Sequence, residues 1–304
     1  MQEKFRSWLS PPDPSVNHNT ACKTQHSGTA TWFVQSTTFE DWKKDGSLLW
    51  VRGNRMSLYS SIPFSFLFIY SLISQLVREK AFYGALFFLA FFCDRTFIFC
   101  ISSAIIEDIK NMRQSRPSLI AYYYFDFKDA SKRGVRGLLT SLLIQLADDS
   151  AHCWDVLHKL YTSCRDGREQ PSDVALSGCL QRMLELPEQL PIFLIVDALD
   201  ECPNAAGTPS AREEVLNFLE DLVGSNHSNL FICVTSRPEQ DIKTILNPLA
   251  PASRCVSLHE EGGQREDIKS YVHSFVYKDR TMRRWREEDR NLVITTLIER
   301  ADGM

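Results

Sequence analysis

Short apolar segments alternate with segments of helical periodicity through the second two-thirds of this chain. Residues 119–125, 192–196 and 230–235 are continuously apolar and bounded by polar turns, which is typical of strands buried on both faces. Between them, residues 137–147 and 212–223 carry apolar side chains at the spacing of an amphipathic helix. This alternation predicts an α/β fold in which helices cover both faces of a parallel sheet.

The same patterns extend the fold toward both ends of the chain. Strands are also predicted at 47–51 and 255–258, and helices at 101–109, 154–164, 174–186, 267–275 and 288–301. Three regions follow from these elements. A leader is expected at 1–46, with one helix up to Leu9, and a core at 47–258, with a hydrophobic insert at about 55–100. Residues 259–304 are expected to begin a helical lid that is truncated.

The overall composition is that of an ordinary globular protein, with 44% hydrophobic and 24% charged residues. A formal net charge of -4 gives no electrostatic reason to expect nucleic-acid binding. The nine cysteines show no C-x-x-C pair and no His/Cys metal spacing, which favours free thiols in a reducing, cytoplasmic compartment. The first residues carry no apolar stretch of the secretory type.

The insert is dominated by Phe, Leu, Ile and Tyr. Charged residues such as Arg78 and Asp94 interrupt it, and neither apolar run reaches the roughly 20 residues of a bilayer span. A membrane hairpin would also separate a core strand from the helix that follows it. An anchor formed by residues 62–99 is therefore the less favoured alternative. The insert is either translated intron or out-of-frame sequence, or a genuine insertion.

The strongest chemical motif follows the apolar segment at 192–196. Asp197 comes directly after this strand, and Asp200 and Glu201 follow closely. An apolar strand that ends in a carboxylate is the Walker B pattern, and ligands of open α/β sheets bind at this edge. Asp197 is predicted to hold Mg²⁺, and Asp200 and Glu201 to orient an attacking water as the catalytic pair. An acidic helix start after a buried strand is the structural alternative.

Arg237 ends the next apolar strand, within Thr-Ser-Arg-Pro at 235–238. At the edge of a neighbouring strand its guanidinium would face the γ-phosphate of a nucleotide. Gly53 ends the strand at 47–51, where a phosphate-binding loop would begin. The Walker A pattern G-x-x-x-x-G-K-[ST] is not completed, because the chain contains no Gly-Lys dipeptide.

These residues resemble the NACHT domain of fungal STAND-type P-loop NTPases, the type shared with the nephrocystin N-terminal region and with heterokaryon-incompatibility proteins. The resemblance rests on the leader with Trp8-Leu9-Ser10-Pro11-Pro12-Asp13-Pro14, on the strand that ends at Gly53, on Val196-Asp197-Ala198-Leu199-Asp200-Glu201, and on Thr235-Ser236-Arg237-Pro238. It departs from the family where roughly 45 residues replace the rest of the P-loop.

The resemblance implies a signalling switch that binds Mg²⁺ with ATP or GTP, forms homo-oligomers on activation and meets protein partners through C-terminal repeats that this chain lacks. The lysine that contacts the β- and γ-phosphates is missing, so we expect this chain to be defective in nucleotide binding and inactive as an NTPase. A non-catalytic interaction module is the alternative.

Overall fold

The computed structural model describes residues 2–24, 30–53, 101–187, 189–204, 209–258, 262–278 and 282–302. The predicted insert at 55–100 therefore lies outside the described residues. Five strands are described: β1 (Ser47–Arg52), β2 (Leu119–Tyr124), β3 (Ile192–Asp197), β4 (Leu230–Ser236) and β5 (Cys255–Ser257). They form one all-parallel sheet in the order β2-β3-β4-β1-β5. This confirms the predicted α/β class with the strand arrangement of a P-loop NTPase-like fold.

The described helices connect these strands and flank them at both ends of the chain. The leader forms α1 (Gln2–Leu9), α2 (Ser15–Thr24), α3 (Thr31–Val34) and α4 (Thr37–Asp45), and the described part of α5 covers residues 101–112. The core continues with α6 (Val135–Asp149), α7 (Ala151–Ser163), α8 (Asp173–Leu184), α9 (Ala211–Gly224) and α10 (Gln240–Leu249). The last two are α11 (Gly262–Lys278) and α12 (Glu287–Asp302).

Each central strand divides its side chains between two apolar clusters, one on each face of the sheet. In β3, Leu194 and Val196 belong to the first cluster, whereas Phe193 and Ile195 belong to the second. This alternation follows from the two-residue period of a strand. Helices α1 and α6–α10 supply the first cluster, and α3, α4, α5, α11 and α12 supply the second. Helices therefore cover both faces, as the continuous apolar strands predict.

The leader is part of this core, and three of its helices escaped the sequence-based prediction. In α1, Phe5 is 1% exposed, and its ring centroid lies 4.5 Å from that of Trp154 on α7, with the two rings tilted by 46°. In α4, Trp42 is fully buried and meets the rings of Phe193 and Phe231 in β3 and β4. Rings of this size contribute several kcal/mol each through burial, roughly 3–5 kcal/mol when truncated to alanine. The leader therefore contributes side chains to the apolar cluster on each face of the sheet.

The order of the strands sets the position of the functional edge. The chain leaves β1, crosses β4 and β3 to form β2, and then returns through β3 and β4 toward β1. The strand order therefore reverses beside β1, and this is the place where ligands bind in open α/β sheets, at the carboxyl ends of the strands. In the described part of the chain, no helix combines the length and the apolar character that crossing a membrane requires.

Candidate functional site

The centre of the site is the Asp197 carboxylate at the carboxyl end of β3. One of its oxygens, Oδ1, accepts hydrogen bonds from the Thr235 hydroxyl of β4, at 2.5 Å, and from the Ser102 hydroxyl at the start of the described part of α5. Thr235 Oγ1 also accepts the Ala198 backbone N–H at 3.1 Å. Two hydroxyl donors from neighbouring elements thus hold one oxygen of the carboxylate in a fixed orientation.

The second carboxylate oxygen of Asp197 is different. Asp197 is 1% exposed, and among the described residues its Oδ2 has no hydrogen-bond partner. Burial is the main cause that raises the pKa of Asp197 to about 7; the bonds from Ser102 and Thr235 oppose the rise, and the nearby carboxylates of Glu201 and Asp200 add to it. A buried carboxylate oxygen without a partner costs free energy unless a proton or a cation satisfies it.

Asp200 and Arg237, predicted to act separately, form an ion pair. Arg237 Nε lies 3.2 Å from Asp200 Oδ2, and the Arg237 backbone N–H donates to Asp200 Oδ1 at 3.0 Å. The Asp200 side chain is 6% exposed, whereas that of Arg237 is 31% exposed. Both groups therefore lie at the edge of β3 and β4 as predicted, with the guanidinium on the more accessible side. An incoming phosphate would have to compete with Asp200 for this guanidinium.

Glu201 and Gly53 complete the predicted set. Glu201 is 9% exposed, and its Oε2 accepts the Phe127 backbone N–H at 3.3 Å, which ties it to the segment after β2. Gly53 follows β1, and its N–H donates to the Ser236 carbonyl at 3.2 Å, so it ends the β1–β4 ladder beside the site. The structure thus brings all five predicted residues to one edge of the sheet.

The turn between Asp197 and Asp200 is strained. Ala198 adopts φ 55° and ψ 44°, the left-handed region that an L residue with a Cβ occupies at a cost of about 1 kcal/mol or more. Backbone strain of this kind is retained where the surroundings determine the conformation, and such positions are frequent at functional sites. Here the Thr235 hydroxyl holds the Ala198 N–H. The turn directs Asp200 back toward β4, where it meets Arg237.

A buried arginine that the sequence did not single out braces the same turn. Arg212 on α9 donates from Nε to the Cys202 carbonyl at 2.8 Å and from Nη2 to the Asp200 carbonyl at 2.6 Å. Its Nη1 pairs with Glu239 and, at 3.2 Å, with Asp241, both beyond β4. The guanidinium fork therefore joins the turn after β3 to the segment after β4.

Ser102 and Thr235 also belong to the site, although neither was predicted as a site residue. Thr235 lies inside the motif that identified Arg237, and its position one residue before the end of β4 is a usable signal. Ser102 lies at the start of the helix that the resemblance places after the P-loop, but its contact with Asp197, 95 residues further along the chain, becomes visible only in the fold.

The donors present fit a magnesium ion. Mg²⁺ prefers oxygen ligands and keeps several waters, and Asp197 offers an unpartnered carboxylate oxygen beside the Ser102 hydroxyl. In P-loop NTPases a Ser or Thr hydroxyl and the Walker B Asp hold this ion. The position after Gly53, where the sequence predicts the start of a phosphate-binding loop, lies outside the described residues.

Residues 100–237 match the family model described as Nephrocystin 3, N-terminal. The matched range is less than half of the 304 residues and runs from Cys100, next to the described part of α5, to Arg237, so it contains β2, β3, β4 and Asp197. None of the curated proteins matches the chain. The match and the parallel sheet together fit a NACHT-like nucleotide-binding module.

Proposed function

We propose that this chain is a signalling switch module of the NACHT type, whose core is built to hold a magnesium nucleotide at the edge of β1, β3 and β4, and that as written it does not hydrolyse NTP. The Asp197 carboxylate carries the proposal. Its Oδ1 is fixed by two hydroxyls, and its Oδ2 is buried and has no partner among the described residues. That arrangement suits a cation-binding carboxylate better than a structural one.

Each residue has a role in this proposal. Asp197 and Ser102 would hold Mg²⁺, which when bound neutralises phosphate charge. Thr235 keeps the Asp197 carboxylate oriented. In the structure, Arg237 forms an ion pair with Asp200. We propose that Arg237 contacts the γ-phosphate of a bound nucleotide, whose charge would draw the guanidinium away from the Asp200 carboxylate. Asp200, once released, and Glu201 then lie where an attacking water would be oriented.

The proposed lack of NTP binding and hydrolysis has a separate cause. A P-loop binds phosphates through successive backbone N–H groups and a lysine, and no Gly-Lys dipeptide occurs anywhere in the chain. Asp197 alone supplies one metal contact, so most of the binding free energy for a nucleotide is missing. ATP and GTP are both compatible with the carboxylate and the arginine, because these groups contact only phosphate and metal.

The test compares two proteins by titration with fluorescent ATP and GTP analogues in the presence of Mg²⁺. The first is the chain as written. In the second, residues 54–100 are replaced by a short loop that completes G-x-x-x-x-G-K-[ST] from Gly53. We expect no micromolar binding to the first protein. The second should bind, and should lose binding when Asp197→Asn is added.

Two outcomes would contradict the proposal. Micromolar nucleotide binding or hydrolysis by the chain as written would show that the missing lysine is not decisive. Failure of the completed loop to confer any binding, in a protein whose circular dichroism shows that it is folded, would show that the core is not a nucleotide site. An interaction module would then be the better assignment.

A further inference from the structure

A second cluster of potential ligands lies away from the Asp197 site, between the leader and α5. The Nε2 atom of His18, the Sγ atom of Cys22 and a carboxylate oxygen of Glu107 all lie within 4.8 Å of one another. His18 and Cys22 are one turn apart on α2, and Glu107 comes from α5. His18 is 4% exposed, whereas the Glu107 side chain is 47% exposed, so the cluster has a buried floor and an open side.

The distances in this cluster suit a small metal ion. Glu107 Oε1 lies 2.9 Å from His18 Nε2, and Cys22 Sγ lies 3.6 Å from the same nitrogen. Ligands about 2.0–2.3 Å from a tetrahedral ion are separated by distances of this order. A nitrogen, a sulfur and an oxygen donor together favour Zn²⁺ over Mg²⁺ or Ca²⁺, which prefer oxygen alone.

The Lys110 side chain places a positive charge between two of these potential ligands. The ammonium of Lys110 lies 3.2 Å from His18 Nε2 and 2.9 Å from Glu107 Oε1. A carboxylate only accepts and an ammonium only donates. When Nε2 carries no proton, the ammonium can donate to both Nε2 and Glu107 Oε1, so a positive group already bridges these two atoms. A metal ion that takes the lone pair of Nε2 and binds the Glu107 carboxylate would replace both contacts of the ammonium, and Lys110, 35% exposed, can turn into solvent.

The other nitrogen of His18 already has the partner that a metal-binding histidine needs. Nδ1 lies 3.1 Å from the hydroxyl oxygen of Tyr124, at the end of β2. When Nδ1 carries the proton, its N–H donates a hydrogen bond to this oxygen, and the lone pair of Nε2 is left available to bind a metal ion. Such an outer hydrogen bond fixes the tautomer and the orientation of metal-binding histidines.

We infer that His18, Cys22 and Glu107 form a zinc site with an open fourth position, which fastens the leader helix α2 to α5. Lys110 occupies the site in the metal-free protein and is displaced by the ion. Because α5 also carries Ser102, zinc would fix the helix that contacts Asp197. The inference does not depend on nucleotide binding, and zinc binding is measured without nucleotide.

The test uses the full chain, reduced, stripped with a chelator and titrated with Zn²⁺ against a chromogenic zinc indicator. We expect one tight Zn²⁺ per chain. Cys22→Ser should weaken it by at least about tenfold, since changes outside the ligands already cost 10–100-fold. Cys164→Ser is the matched control, because Cys164 is also a partly exposed free cysteine but lies outside the cluster. Co²⁺ in place of Zn²⁺ should give a thiolate charge-transfer absorption that Cys22→Ser abolishes.

The Lys110→Met variant tests the same site in the opposite direction. Loss of the competing ammonium should tighten Zn²⁺ binding about tenfold, which equals ~1.4 kcal/mol. A general loss of folding cannot produce tighter binding. The inference is overturned if the chain takes up no stoichiometric Zn²⁺. It is also overturned if Cys22→Ser and Cys164→Ser behave alike, or if Lys110→Met weakens binding. Uptake that disappears in Asp197→Asn would assign the ion to the other site and overturn it too.

Discussion

Asp197 should make the metal-free protein less stable as the pH rises. Its pKa is raised from 3.8 to about 7, first by burial. The folded state therefore keeps a proton that the unfolded state releases, and stability falls between these two values at about 1.4 kcal/mol per pH unit. Above pH 7 both states are ionised and the loss is complete. Between pH 5 and pH 8 the expected loss is about 3 kcal/mol, a large share of the roughly 5–15 kcal/mol that stabilise a domain.

Asp197→Asn removes this titration and keeps an oxygen that can accept from Ser102 and Thr235. The assay is urea unfolding at several pH values in the presence of a chelator, with the free energy of unfolding compared between the two proteins at each pH. Relative to the variant, the unmodified chain should lose about 3 kcal/mol from pH 5 to pH 8. The control is Asp155→Asn, since Asp155 is exposed on α7. If the free energies of unfolding of the two proteins differ by a constant amount from pH 5 to pH 8, the reasoning is refuted.

Three further predictions concern the stability of the fold. Gly137→Ala should destabilise by about 1–3 kcal/mol, because the new Cβ would clash with the Ser131 carbonyl and lie 2.7 Å from the Tyr123 hydroxyl. Gly178 also lies in a helix, but a Cβ added there would have no atom within 4 Å, so Gly178→Ala should leave the stability unchanged or raise it by up to about 1 kcal/mol. Equal changes of stability in the two variants, measured by thermal unfolding, would contradict this reasoning. Phe5→Ala should lower the free energy of unfolding in urea by roughly 3–5 kcal/mol, whereas Val16→Ala should lower it little, because Val16 is 62% exposed. An unchanged stability of Phe5→Ala would show that the leader is not part of the core. Arg212→Met should cost about 3 kcal/mol, because Glu239 and two backbone carbonyls lose the arginine donor and Asp241 keeps only its bond from Asn204. Arg212→Lys should restore only part of this stability, because one ammonium cannot replace the guanidinium fork. Full recovery with lysine, by the same urea assay, would exclude the bracing role.

The strands were predictable because their burial on both faces leaves a continuous apolar run. Strand β3 was expected at 192–196 and is observed at Ile192–Asp197, and β4 was expected at 230–235 and is observed at Leu230–Ser236. Their spatial order was not predictable in the same way, since pairing between β1 and β4 joins segments far apart in the chain. Local periodicity contains no information about such partners.

Helix α2 shows why much of the leader was missed. Its sequence, SVNHNTACKT, is rich in residues of low helix propensity and has no apolar stripe. Its position depends instead on contacts with distant elements, such as those of His18 with Tyr124 and Glu107. No His/Cys metal spacing was recognised in the sequence, so His18 and Cys22, which are four residues apart and would have been the available signal, were passed over. This pair becomes interpretable as a site only when α5 brings Glu107 beside it.

At the candidate nucleotide site, the sequence predicted which residues gather but not how they pair. The motifs placed Asp197, Asp200 and Arg237 at neighbouring strand ends because parallel strands end at one edge. Pairing of Arg237 with Asp200 depends on the left-handed turn at Ala198. No residue type in that segment signals the turn, because alanine rarely adopts it.

Asp267 of α11 accepts the Ala30 backbone N–H at 2.7 Å and the Trp32 indole N–H at 2.9 Å. These two bonds connect a helix near one end of the described chain to the leader near the other, and they act in parallel. A tensile force applied to the C-terminal end would therefore meet these bonds after the apolar contacts of Val272 and Val276 and before α11 could separate from the leader. Pulling experiments on single molecules should record release of this contact as a distinct event, and Asp267→Asn should lower its rupture force.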